Sequence, residues 1–297
     1  MKNQIERLKE AQNAVILAHY YQRNEVQEIA DFIGDSLELA KRAKETEADR
    51  IIFCGVKFMA ETAKILSPNK KVYQPAEEAG CPMADMANAD TVREMKAKYP
   101  EAKVVCYVNS TAEVKAESHI CCTSSNAVNI VKKLDCKDVI FVPDKNLGAY
   151  VASQVPEKNI ILWDGFCYVH GLLSLESIKR TKLANPNALI IAHPECNPEV
   201  LEEADFIGST SKLLNYVRSS DESEFIILTE RGIHYVLQEE NPTKSFIFPD
   251  EALCCRNMKK NTLGQVYEAL AGNGKEVSVD ENVATGALRS LEAMFEV

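Results

Sequence analysis

The sequence has no apolar run approaching the roughly 18 residues that a membrane-crossing helix needs. Its first residues, MKNQIERLKEAQN, alternate charges on a short helical pattern where a secretion signal would carry an apolar core. A membrane protein or an exported one is not expected, and a cytoplasmic one is. Positive charge is also in short supply: 34 Lys and Arg stand against 44 Asp and Glu, a formal net charge of −10. Such a far field repels nucleic acid and anionic membranes as general partners, so an anionic small molecule must be attracted locally. No Cys-x-x-Cys pair and no run of spaced cysteines occurs, although the chain has 10 cysteines in 297 residues. A reducing cytoplasm argues against disulfides, which leaves burial or metal binding to account for them.

What is present is a unit repeated three times. Apolar runs ending in a polar group recur as AVILAHY at 14–20, AKVVCYVN at 102–109 and ALIIAHPE at 188–195. With His19, Asn109 and His193 as markers the spacings are 90 and 84 residues, which is domain-sized. After each marker come a short helical pattern, a brief strand ending in small hydroxyl residues, a longer helix, a continuous apolar strand (RIIFCG, DVIFVP, EFIILT), another helix and a fourth strand. Apolar runs without alternation, separated by helical stretches, indicate parallel strands covered on both faces. The expected fold is therefore α/β: three homologous three-layer αβα units with parallel sheets, over 1–97, 98–184 and 185–297, the last with a C-terminal helical tail. Ligands of open parallel sheets gather beyond the carboxyl ends of the strands. Three copies could aim those ends at one centre on a pseudo-threefold axis.

Each unit places a cysteine in the loop after its fourth strand: Cys81 in AGCPMA, Cys167 in DGFCYVH, and Cys254 or Cys255 in ALCCRNM. His19 to Cys81 is 62 residues and His193 to Cys255 is also 62, whereas Cys254 gives 61, so Cys255 holds the repeat's register. Three thiolates, one from each unit, suit zinc or an iron-sulfur cluster and leave one metal position open, as a Lewis-acid catalyst requires. Cys54, Cys106, Cys121, Cys122 and Cys136 lie in or beside apolar strands and read as core, where free Cys behaves as a small hydrophobe. Cys196, in HPEC, falls at a strand end near the expected centre.

His19, Tyr21, Tyr107, Asn109, His193 and Glu195 fall at the ends of first strands. Ser36, Ser124, Ser125, Ser209 and Thr210 fall where helix N-caps are expected. Three helix starts, with free N–H groups and the positive dipole end, form a cradle for phosphate or carboxylate despite the acidic exterior. Glu195 beside His193 is a natural general base if it faces a metal-containing pocket.

Taken together, ILAHYYQ, DFIGDSLELA, GVKFMAETAKIL, GCPMA, YVNSTAEVKA, TSSNAV, PDKNLG, HPEC, GST and C-x-x-MKKNTL resemble the quinolinate synthase family over nearly the whole chain, in order. The resemblance implies three homologous α/β domains around a 4Fe-4S cluster held by three cysteines, with one iron not ligated by protein. It implies a transferase of NAD biosynthesis that condenses iminoaspartate with dihydroxyacetone phosphate to quinolinate, phosphate and two waters, with an aspartate-oxidising enzyme supplying iminoaspartate. Matched position by position, the ligands are Cys81, Cys167 and Cys255, the last three residues before Met258. The matching substrate positions are His19, Ser36, Tyr107, Val108, Asn109, Ser124, His193, Pro194, Glu195, Ser209 and Thr210. Tyr21 and Glu195 match the acid–base groups, with His193 and Tyr107 as further catalytic candidates. The chain departs from the family's usual residues at Tyr20, Phe166 and Tyr168. Two other readings use the same cysteines: an iron-sulfur sensor or electron-transfer protein, and a structural zinc site in an unrelated sugar-phosphate enzyme.

Overall fold

A computed structural model describes residues 1–297. The twelve strands form three separate four-stranded sheets, all parallel. The first contains β1 (Ala14–His19), β2 (Phe32–Gly34), β3 (Arg50–Cys54) and β4 (Lys71–Tyr73) in the order β2-β1-β3-β4. The second contains β5 (Lys103–Tyr107), β6 (Ile120–Cys122), β7 (Asp138–Val142) and β8 (Asn159–Leu162) in the order β6-β5-β7-β8. The third contains β9 (Leu189–Ala192), β10 (Phe206–Ile207), β11 (Glu224–Leu228) and β12 (Ser245–Ile247) in the order β10-β9-β11-β12. The three-unit α/β architecture read from the sequence is the one observed.

The strands carry uninterrupted apolar runs because both of their faces are covered. In β1, β3, β5, β7 and β11 every residue after the first is buried. Phe53 and Phe141, on the third strands of two units, are almost wholly enclosed, and burying a side chain of this size contributes about 1.5–3 kcal/mol.

The same edge bond recurs in each unit. The N–H groups of Ile16, Val104 and Ile190 donate to Asp31 Oδ2 (2.8 Å), His119 Nδ1 (2.9 Å) and Asp205 Oδ2 (2.8 Å), each acceptor 15 residues further on. These bonds set the register of the repeat and correct one sequence expectation. The counterpart of His19 and His193 is Tyr107, and Asn109 corresponds to Tyr21 and Glu195. The apolar run in the middle unit continues through Val108, which is buried but lies beyond the end of β5. The run therefore looks two residues longer than the strand that matters.

In the order β2-β1-β3-β4 the chain leaves β1 toward one side for β2 and returns past it for β3. The carboxyl end of β1 is thus the topological switch point, as are those of β5 and β9. Each unit therefore offers its crevice at the end of its first strand.

The helix Ala89–Lys98 contributes Val92 to the core around the second sheet, and Leu175–Ala184 contributes Ile178 to the core of the third. The C-terminal segment crosses back over the other two units. Leu263–Ala271 packs on Lys2–Ala11, and Glu281–Phe295 packs on Ala112–Ala116 and β6. Gly286 permits the second contact, since a Cβ there would lie 2.8 Å from Ala116 Cβ. No helix is long and apolar enough to cross a membrane.

Candidate active site

The carboxyl ends of the three first strands open onto one central cavity. After each strand the chain turns or bends, in the first and third units through bonds from the Gln22 and Cys196 N–H groups to the His19 and His193 carbonyls at 3.0 Å, and the strand-end residue and the one two further on face the same way. His19 and Tyr21, Tyr107 and Asn109, and His193 and Glu195 all line the cavity. The intervening residues Tyr20, Val108 and Pro194 do not. Tyr20 and Val108 instead donate N–H to Gly34 and Cys122 carbonyls at 3.2 and 2.9 Å. Three of the expected substrate positions, Val108, Pro194 and Ser209, are thus not among the residues that line the cavity.

The helix starts follow the same register. Ser36, Ser124 and Thr210 are equivalent and all line the cavity. The expected hydroxyl caps are only partly found. The first helix is capped by Asp35 in a capping box with Glu38, the second begins after Asn126 without a side-chain cap bond, and only in the third does a hydroxyl, Ser209, cap the helix. With Asp35 taking the first cap, Ser36 is free to face inward; Ser124 lies before Asn126, whose Oδ1 accepts from the Thr123 N–H at 2.7 Å. Beside them Asp35, itself a lining residue, joins Ser125, Ser209 and Ser211 in a polar knot across all three units. Ser125 Oγ lies 3.2 Å from Asp35 Oδ2 and 2.7 Å from Ser209 Oγ, and Ser211 Oγ donates to Asp35 Oδ2 at 2.6 Å. The cavity lining contains no lysine or arginine. The groups that could meet a negative charge there are hydroxyls, imidazoles and helix N–H groups.

Glu195 is the most connected group. Its Oε1 accepts from Tyr107 Oη at 2.6 Å and from Asn109 Nδ2 at 3.5 Å, while Oε2 lies 2.7 Å from His170 Nδ1. Burial opposes its ionisation, but the neighbouring His170 and His193 and the hydrogen bonds from His170 and Tyr107 outweigh this and hold the carboxyl below its ordinary range. Tyr21 Oη sits between Thr210 Oγ1 (2.8 Å) and Thr229 Oγ1 (2.7 Å), and burial above all raises its pKa. His193 Nε2 contacts Ser124 Oγ at 3.2 Å and its Nδ1 accepts from the Glu195 N–H at 3.3 Å. In His19, Nδ1 accepts from the Tyr21 N–H at 3.1 Å. Asn109 Oδ1 is buried without a partner, an acceptor left for a bound molecule.

Burial, largest among the causes, pushes the imidazole of His193 down to about 3 and that of His19 down to about 4. A histidine held neutral in this way lowers stability once the unfolded chain can take up its proton. For His19 the effect is absent above its ordinary value of 6.5 and grows as pH falls toward 4. The unfolding free energies of the wild-type chain and a His19→Gln variant should therefore converge by about 2 kcal/mol between pH 6.5 and pH 5. Denaturant titrations at the two pH values measure this, and parallel curves would contradict it.

His170 is the main residue that sequence reasoning missed. It stands one helical turn after Cys167, in the short helix Tyr168–Gly171. Besides Glu195 it contacts Cys167 Sγ at 3.3 Å and Thr229 Oγ1 at 2.9 Å, and its ring stacks on His193 with centroids 4.8 Å apart. The one signal available was the Cys-x-x-His spacing at 167–170, which places both side chains on one helix face.

The three loop cysteines are structurally equivalent. The N–H groups of Lys57, Lys145 and Arg231 donate to the carbonyls of Ala79, Gly165 and Leu253, each at 2.8 Å. Those carbonyls lie two residues before Cys81, Cys167 and Cys255. The carbonyl of each of these cysteines then accepts from the N–H four residues on, at Asp85, Gly171 and Lys259. Cys81, Cys167 and Cys255 all line the cavity and Cys254 does not. Tyr168 ties two of the loops together, its Oη accepting from the Arg256 N–H at 3.0 Å.

All ten cysteines are free thiols. Cys54, Cys106, Cys121, Cys122 and Cys196 are buried in the cores, so Cys196 belongs to the packing of the third unit. Three free thiols on equivalent loops around one cavity, with no fourth cysteine among the lining residues, are a donor set that fits a thiolate-bound cluster with one position left open. A closer grouping also exists: ligand atoms of Cys167, His170 and Glu195 lie within 4.8 Å of one another, near enough to share a single ion.

Fold and site together define a three-unit α/β enzyme whose centre combines soft metal donors with an ionised carboxylate, tyrosines and neutral histidines. Residues 3–296 match the family model described as Quinolinate synthetase A protein. The quinolinate synthase of Alkaliphilus metalliredigens is 54% identical over 297 residues, covering 100% of this chain and 98% of that protein. Those of Caldicellulosiruptor bescii and Aquifex aeolicus are 52% and 50% identical, covering 98% and 94% of their lengths. The chain belongs to the quinolinate synthetase A family.

Proposed function

We propose that this enzyme condenses iminoaspartate with dihydroxyacetone phosphate to give quinolinate, phosphate and two waters, and that it does so in the cytoplasm. The observation that carries the proposal is the register of the site: equivalent residues of three homologous units, including three equivalent cysteines, line one cavity. An iron-sulfur sensor has no use for the carboxylate, tyrosines and helix starts gathered there.

Cys81, Cys167 and Cys255 would hold a 4Fe-4S cluster. Bound there, the group supplies a Lewis-acidic iron with an open position for a hydroxyl or for the nitrogen and carboxylate of a ligand. The remaining work falls to the chain's own residues. Ser36, Ser124 and Thr210, with the N–H groups of their helices, hold phosphate and carboxylate oxygens where no cationic side chain is present. Asn109 offers its free carbonyl oxygen to a substrate N–H or O–H.

Glu195, ionised and oriented by Tyr107 and His170, takes protons from carbon or oxygen during isomerisation and dehydration. His193, neutral, can accept a proton or donate through Nε2, which faces Ser124. Tyr21, kept protonated by burial and held by two threonines, is placed to give a proton to a departing oxygen. An aspartate-oxidising enzyme would supply iminoaspartate.

The test is anaerobic purification with iron, sulfide and zinc quantified, together with an assay for quinolinate from the two substrates. Iron and sulfide in equal amounts with quinolinate formed is the expected result. Zinc without sulfide would favour a single ion on Cys167, His170 and Glu195, and a full cluster without quinolinate would overturn the reaction assigned.

A further inference from the structure

The third cysteine loop differs from the other two in offering two adjacent thiols. A slip of one residue would exchange Cys254 for Cys255 at the cavity, so something must hold the loop in place. Glu230, with 0% exposure and in the cavity lining beside Cys255, does this. Its Oε1 accepts from the Cys255 N–H at 3.0 Å and its Oε2 from the Gly232 N–H at 2.7 Å. Lys259 Nζ lies 3.0 Å from Oε1 and 3.1 Å from Oε2. The same ammonium donates to the backbone carbonyls of Tyr21 and Gln22. One ion pair, its carboxylate fully buried and its ammonium partly so, thus joins three segments distant in sequence: the turn carrying Tyr21, the turn after β11, and the Cys255 loop.

Close approach makes the arrangement possible. A Cβ on Gly232 would stand 2.6 Å from Lys259 Nζ and 2.7 Å from both Glu230 Oε2 and the Tyr21 carbonyl carbon. The other two units have no such pair. Val56 occupies the equivalent place in the first. In the second, Asp144 also approaches the Cys167 backbone N–H, but its Oδ1 accepts from Asn146 and Leu147 in its own helix and no lysine pairs with it. Neither of those loops has a neighbouring cysteine to exclude.

We propose that Glu230 and Lys259 are positioning residues that lock the register of the third loop, presenting Cys255 and excluding Cys254, and that they hold the Tyr21 turn against it. The proposal rests on the reading that Cys255 is the functional thiol. Its test follows the loop, not the reaction, so an absence of quinolinate would leave it standing.

The full-length chain, purified anaerobically and then freed of iron, is treated with iodoacetamide, and the labelling rate of each cysteine is read by peptide mass mapping. Two variants are compared. Glu230→Ala removes the acceptor of the Cys255 N–H. Glu230→Gln removes the same charge but keeps an oxygen there, so the pair separates the grip on the loop from any effect of charge on thiol reactivity. Cys255 should label at least tenfold faster in Glu230→Ala than in Glu230→Gln, with Cys81 and Cys167 unchanged between them. Lys259→Met should give an intermediate rate. Equal Cys255 rates in the Ala and Gln variants would overturn the lock. So would a common rise at all three loop cysteines, which would mark general loosening. If Glu230→Ala does not fold, the same comparison is made between Lys259→Met and Lys259→Arg, and equal rates there would overturn the proposal equally.

Discussion

Cys255→Ala should lose its iron and with it at least 99% of quinolinate formation, whereas Cys254→Ala should keep both within about twofold of wild type. The two residues are neighbours in sequence, both half-buried thiols, and differ in one respect that matters. The bond from the Arg231 N–H to the Leu253 carbonyl puts Cys255 in the same place that Lys57 to Ala79 gives Cys81 and Lys145 to Gly165 gives Cys167. Cys255 lines the cavity and Cys254 does not. Iron and sulfide analysis of the two variants, alongside activity, measures the difference. Iron retained in Cys255→Ala and lost in Cys254→Ala would mean that the loop is threaded one residue out of the repeat's register.

Glu195→Gln should lower kcat by a factor of about 10²–10⁴ with iron content unchanged. That loss corresponds to roughly 3–5.5 kcal/mol of transition-state stabilisation. Gln has nearly the shape of Glu and can still accept the Tyr107 hydroxyl at the position of Oε1. What it cannot do is take a proton, or remain the anion that His170 faces at 2.7 Å. KM should move far less than kcat, because in the proposed reading substrate anions are held by the hydroxyls and helix starts elsewhere in the cavity. A variant with kcat within threefold of wild type would remove Glu195 from the proton transfers and leave it as a support for His170 and Tyr107.

Much of this site was legible beforehand because the repeat is carried by local chemistry. Apolar runs mark strands buried on both faces, and a parallel strand that ends in a polar residue ends at a ligand-facing edge. His19, Tyr21, Tyr107, Asn109, His193 and Glu195 were found that way. The same logic failed by two residues in the middle unit, where Val108 prolongs the apolar run past the strand. It also misassigned helix caps. Asp35 serves in place of Ser36, because a carboxylate before the helix accepts the N–H groups of Leu37 and Glu38 as well as a hydroxyl could. His170 escaped altogether, since nothing in YVHG distinguishes a cavity-lining histidine from an ordinary one until Glu195, 25 residues away, is brought to it.

By itself, then, the sequence determined the α/β class, the threefold repetition, the three cysteine loops and the register that sets Cys255 apart from Cys254, because each of these is written in local periodicity or in spacing along the chain. Only the tertiary structure decided which side chains meet. Tyr21 finds Thr210 and Thr229, respectively 189 and 208 residues away, and Lys259 reaches the Tyr21 carbonyl across 238. Such contacts depend on how three separately folded sheets are set against one another. That arrangement is fixed by packing between units and by the C-terminal helices crossing back over the first two, and no periodicity within one unit encodes it.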